Sequence, residues 1–161
     1  KSETADKIYL ISDKDQNIMK LPIYIGDDSI VTPNKIKEEI DRANPDIVFI
    51  DYFQLMSVDN ENYDCDIIYD LKCIAKLANI PIVLLSQLGR GRDDRPLLVD
   101  LRLGTSGQNI DVVILLYDPK YEMKTNKDIE IIVAKNRWGE TFTLNSHFER
   151  STLRYTVYEN E

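Results

Sequence analysis

The chain has 161 residues, 43% of them hydrophobic and 30% charged, with a formal net charge of -8. That length fits a single domain over residues 1–161 with a core of its own, and the acidic balance excludes a surface coated in positive charge for indiscriminate nucleic-acid binding. No run approaches the roughly 20 apolar residues of a membrane helix and no signal-peptide pattern opens the chain, so a cytoplasmic protein with no membrane partner is expected.

The first residue is Lys1, not Met, which reads as an excerpt of a longer chain. Ile8 to Ile11 and Leu21 to Ile25 are each expected as short strands, the second ending in a polar turn at Gly26-Asp27-Asp28. Thr32-Pro33 then announces a helix, with Thr as N-cap and Pro at the first helical position. Ile36, Ile40 and Ala43 share one face, and Asn44-Pro45 ends the helix. Ile47 to Ile50 is a continuous apolar run closing on Asp51, the pattern of a central parallel strand covered on both faces.

A second helix is expected from Asp64 to Ala78, with Ile67, Ile68, Leu71, Ile74, Ala75 and Ala78 at helical spacing and Asn79 at its exit. It carries both cysteines, Cys65 and Cys73. On a helix they stand roughly 12 Å apart, too far for a disulfide. Neither they nor the single His147 form a zinc pattern. Ile82 to Leu85 is the next buried strand, ending in Ser86-Gln87. Residues 88–109 break the pattern as a long loop with four glycines and four arginines, the kind that is usually functional or mobile. Val112 to Tyr117 reads as another buried strand. Ile129 to Ala134 and Thr141 to Leu144 flank a hairpin bend at Asn136 to Gly139, and Leu153 to Tyr158 is a last strand. This alternation gives an α/β fold, a mostly parallel sheet with flanking helices and an antiparallel carboxyl-terminal hairpin.

Four places carry groups suited to phosphate chemistry. Asp51 closes a buried strand, where a carboxylate can hold magnesium through water; it can equally just cap the next turn. Gln87 closes the neighbouring strand and can donate to a phosphate oxygen, or simply mark a strand exit. Arg102, Leu103, Gly104 and Thr105 combine a guanidinium with accessible backbone amides, both phosphate donors; over residues 90–107 four cations face three carboxylates, which also suits a solvated loop. Lys135 and Arg137 sit at the hairpin bend, where two cations one residue apart can project together, as an arginine finger does, or be ordinary turn charge. Trp138 beside them is expected to be exposed and suited to a subunit interface.

In order along the chain these segments resemble one family. Asp51-Tyr52-Phe53-Gln54-Leu55-Met56 is similar to the Walker B stretch of DnaB-like replicative helicases, and Ser86-Gln87-Leu88-Gly89-Arg90 to their Ser-Gln-Leu-x-Arg segment. Arg95-Pro96, Asp100-Leu101-Arg102 and Gly104, then Gln108 and Asp111, resemble the lead-in and close of the DNA-binding loop. Lys135-Asn136-Arg137-x-Gly139 resembles the finger. The resemblance spans about residues 21–150 and implies a RecA-like core. It implies that Asp51 coordinates magnesium and that Gln87 links the γ-phosphate to the DNA loop. Arg102, with Leu103, Gly104 and Thr105, would then hold single-stranded DNA, and Lys135 and Arg137 would reach a neighbour's ATP.

The implied function is ATP-driven unwinding at replication forks by a homo-hexamer, with ATP and Mg2+ as cofactors and single-stranded DNA, helicase loader and primase as partners. The chain departs from the pattern in having no Gly-x-x-x-x-Gly-Lys-Ser/Thr, so the phosphate cradle and its lysine are expected upstream and the piece alone is expected to be inert. Leu103 stands where the family has Glu, Thr105-Ser106-Gly107 replaces a Ser-Ile-Glu type sequence, and Trp138 replaces Asn, which bears on the loop's grip on DNA. A RecA-like ATPase of recombination or of plasmid or phage replication, and a non-enzymatic module docking onto a helicase, are the other two readings.

Overall fold

The computed structural model describes residues 22–58, 66–88, 95–101, 104–119, 127–149, 151–152 and 154–157. Within them, helix α1 runs Pro33–Ala43. Its N-cap Thr32 accepts from the Lys35 amide, and Asn44 ends it in the left-handed conformation, which Asn tolerates better than most residues. Strand β1 (Val48–Ile50) follows. Helix α2 (Ile67–Ala78) starts at Asp66, whose carboxylate accepts from the amides of Ile68 and Tyr69, and ends at left-handed Asn79. Strand β2 (Ile82–Leu84) then pairs with β1 in parallel, Ile50 opposite Leu84. The Thr32 cap and the stops at Asn44 and Asn79 stand where the sequence puts them, while α2 starts at Ile67, three residues after the expected Asp64.

Strands β3 (Val112–Tyr117), β4 (Lys127–Asn136), β5 (Phe142–Glu149) and β6 (Arg154–Val157) form a four-stranded antiparallel sheet in that order. The antiparallel part is thus larger than the expected hairpin: β3 pairs with β4 rather than extending the parallel ladder. The β3–β4 register shifts between Val113 and Ile114, stepping over Ala134. This bulge comes just before the bend and re-aims the residues that follow it.

The core has two parts. Ile40, Ile50, Ile68, Leu71 and Ile74 are buried around the helices, with α1 packed on α2 and α2 on β2. Val113, Leu115 and Ile132 form a second cluster, covered by Leu88, Leu101, Ile110, Tyr117 and Ala134. Two expectations need correction. Residues 22–25 form no strand; among the described residues no backbone pairing involves them, and the nearest is a single bridge between Val31 and Met56. The apolar runs of β1, β2 and β3 are covered on one face only: Phe49 is 65% exposed, and Val83, Ile114 and Leu116 are exposed as well. No helix among the described residues packs on that face. The expected strand at residues 8–11 and Cys65 lie outside the described residues, and Cys73 is a half-buried free thiol.

Candidate functional site

Parallel pairing of β1 with β2 brings Asp51 and Gln87 to the same end of the sheet, one residue past Ile50 and three past its partner Leu84. The tips are locked together: the Leu85 amide donates to the Ile50 carbonyl at 2.9 Å and the Phe53 amide to the Leu85 carbonyl at 2.8 Å. Gln54 completes the clamp. Its Nε2 donates to Ser86 Oγ and to the Gln87 carbonyl, each at 3.0 Å, and its Oε1 accepts from the Gln87 amide at 3.2 Å. Gln54 was legible only as part of a motif; its clamping role depends on a contact 33 residues away in the chain. The Asp51–Tyr52 peptide bond is cis.

Asp51 and Gln87 are both exposed. Neither the Asp51 carboxylate nor the Gln87 side-chain amide has a partner among the described residues. A carboxylate and an amide at the same end of two paired strands are a donor set suited to a hydrated divalent cation and a phosphate oxygen. Among the described residues no three His, Cys, Asp or Glu side chains cluster tightly enough to chelate a metal directly, so one carboxylate acting through water is the arrangement that fits.

The hairpin cations form a second group. Lys135, in β4, is half-buried, and its Nζ donates to the Gly107 carbonyl at 2.8 Å. This corrects the expectation that it projects outward: the bulge at Ala134 turns it toward its own chain. Arg137, in the turn, donates from Nη2 to the Gln108 carbonyl at 2.8 Å and keeps its side chain 46% exposed. Its Nη1 lies 2.9 Å from Asp111 Oδ1 as an ion pair lacking hydrogen-bond alignment. Asp111 Oδ2 pairs with Lys72 of α2, and the Arg137 amide donates to the Asp111 carbonyl at 2.9 Å. Trp138 is 73% exposed, as expected.

Against the hairpin cations lies the segment Gly104–Asn109, a 3-10 turn. Gly104 and Thr105 open it, while Arg102 and Leu103 lie outside the described residues. Asn109 Nδ2 reaches Asp66 Oδ2 at 3.5 Å, tying the segment to the start of α2. Arg95 contacts Glu130 and donates to Thr143 Oγ1 at 2.7 Å, so it braces β4 and β5. Lys72 is an ordinary helix lysine by pattern, and no local signal marks it as a member of this group.

Comparison with known proteins matches this geometry to one family. The profile of the DnaB-like helicase C terminal domain matches residues 2–157. A probable plasmid replicative DNA helicase of Chlamydia muridarum (strain MoPn / Nigg) is 33% identical over 97% of this chain and 37% of its own length. The replicative DNA helicase DnaC of Bacillus subtilis (strain 168) is 34% identical over 85% of this chain and 34% of its own. The chain therefore spans little more than a third of the curated relatives it matches. Among solved structures, one ATPase domain superposes with a TM-score of 0.74 at 31% identity, over 85% of this chain and 55% of that one. A DnaB-like replicative helicase, described with its interactions with primase, gives 0.75 at 31% identity over 88% of this chain and 38% of that one. The fold is thus a RecA-like α/β domain, and the chain belongs to the DnaB-like helicase C-terminal domain family.

Proposed function

We propose that the full-length protein containing this chain is an ATP-driven DNA helicase of replication, a hexameric ring that translocates on single-stranded DNA. In this reading Asp51 holds Mg2+ through water and Gln87 contacts the γ-phosphate of ATP bound in its own subunit. Lys135 and Arg137 serve the ATP of the neighbouring subunit, and Arg102, Leu103, Gly104 and Thr105 hold DNA phosphates. Magnesium supplies charge neutralisation between the phosphates; the residues of this chain supply position. The observation that carries the reading is the shared tip of β1 and β2, where Asp51 and Gln87 leave the same end of the sheet and Gln54 holds the Gln87 backbone. Primase and a helicase loader are partners of the same reading, the first favoured by the primase-interacting helicase among the structural neighbours.

The sequence holds only part of such a site, since it contains no Gly-x-x-x-x-Gly-Lys-Ser/Thr loop. The test therefore uses the full-length protein. Its Mg2+-dependent ATPase is expected to fall by at least about a hundredfold in Asp51→Asn, roughly the scale of losing a charged group aimed at the transition state, with the melting temperature unchanged. Undiminished turnover in that variant would remove Asp51 from the site.

A further inference from the structure

Asp111 is a carboxylate on which three parts of the described chain meet. It sits between the Gly104–Asn109 segment and β3. Its side chain is only 20% exposed; Lys72 of α2 pairs with Oδ2, and Arg137 of the β4–β5 turn lies against Oδ1. Its carbonyl accepts the Arg137 amide, so the turn's backbone and side chain are both held at one residue. On the same side, Lys135 and Arg137 donate to the carbonyls of Gly107 and Gln108. Hairpin and segment are therefore linked at Gly107, Gln108 and Asp111.

The chemistry of these contacts leaves the hairpin cations able to bind elsewhere at the same time. A guanidinium has five N–H donors and an ammonium three. Among the described residues Arg137 commits one aligned donor, to Gln108, and Lys135 commits one, to Gly107. Asp111 Oδ1 is shut off from solvent yet accepts no aligned hydrogen bond. Asp111 thus holds Arg137 by charge at 2.9 Å while Gln108 holds it by a hydrogen bond, so the guanidinium is fixed in place with its remaining N–H groups available to a phosphate.

We infer that Asp111, with Lys72 behind it, is a positioning residue that couples the hairpin cations to the Gly104–Asn109 segment of the same subunit. The inference rests on the proposed function, because it takes the hairpin to meet nucleotide and the segment to meet DNA. A phosphate drawing on Lys135 and Arg137 then pulls on the carbonyls of Gly107 and Gln108, and DNA pulling on the segment moves the cations. Lys72 keeps Asp111 from following the hairpin, since it anchors the other oxygen to α2.

Coupling is a free energy shared by two ligands, so it is measured directly as the factor by which one changes the affinity of the other. The experiment titrates a fluorescent oligo-dT into the full-length protein with and without a non-hydrolysable ATP analogue and Mg2+. Wild type is expected to show an affinity ratio on the order of 5–150, the usual range for linked sites. Asp111→Asn keeps the shape and removes the charge. It is expected to bring that ratio to about one while each ligand still binds alone, and Lys72→Met is expected to lower the ratio part of the way. Asp111→Glu should restore part of what Asp111→Asn loses. A purely structural role would lower the melting temperature and weaken both ligands in proportion, leaving their ratio intact. An unchanged ratio in Asp111→Asn overturns the inference, as does a ratio of one in wild type with both ligands bound, while the proposed function stands in both cases. A wild type that binds neither nucleotide nor DNA overturns the proposed function and this inference with it.

Discussion

Gln54 has more polar contacts across the sheet tips than any other side chain there, and it touches only exposed groups. Each such hydrogen bond contributes about 1 kcal/mol or less in net terms, so Gln54→Ala is expected to cost only about 1 kcal/mol of stability by denaturant titration. Its larger effect is on geometry. Once the Gln87 backbone is no longer held by Gln54, turnover of the full-length ATPase should fall about tenfold, since small misplacements at such sites are costly. Equal loss of stability and none of turnover would make Gln54 a bystander. Glu39 offers a different test. A hydrogen bond from Arg42, reinforced by the charges of Arg42 and Lys35, holds its carboxyl below the usual glutamate range. The folded value is the lower one, so the contribution to stability is fully present above the unfolded value and is lost as pH falls through the folded value. Carbon-detected titration of Glu39 should show this depression, and Arg42→Ala should return the midpoint toward the ordinary value.

Helix ends were the most legible elements. Thr32-Pro33, Asn44, Asn79 and Pro81 signal starts and stops through local chemistry that needs no tertiary partner, and the structure uses each of them as read. Asp66 does more than Thr32. It accepts from two amides of α2 and contacts Asn109 of the 3-10 segment. Thr32→Ala is expected to cost about 1 kcal/mol and Asp66→Ala up to about 2 kcal/mol, compared by urea unfolding; the reverse order would deny the second contact any weight. What sequence reading missed is tertiary in origin. Residues 22–25 have strand-like composition, but a strand exists only by pairing. The Lys72–Asp111 pair joins positions 39 apart, and nothing local in either residue marks it. The inward turn of Lys135 follows from a bulge at Ala134, which alternation alone cannot place.

At the scale of the whole molecule, the apolar faces of β1, β2 and β3 decide how the chain behaves by itself. Phe49, Val83, Ile114 and Leu116 are exposed on strands whose other face builds the core. Uncovered apolar strands of this kind favour association. The 161-residue chain is therefore expected to sediment as a self-associating species at micromolar concentration, and Ile114→Thr with Leu116→Thr should shift it toward monomer. The same chain, without a phosphate loop, should give no calorimetric signal with ATP; micromolar binding would show that the groups at the sheet tips suffice without one.

The sheet tips and the hairpin are assigned to two different nucleotide sites, one in the subunit's own interface and one in its neighbour's. Full-length Asp51→Asn and Arg137→Ala proteins, each inactive as an ATPase alone, separate that arrangement from a single site within one subunit. When the two are co-expressed, some interfaces join an intact Asp51 to an intact Arg137 from the other variant. Activity is then expected to recover toward about a quarter of wild type, the share of interfaces that random assembly leaves whole. A mixed assembly no more active than either variant alone would contradict the two-site arrangement.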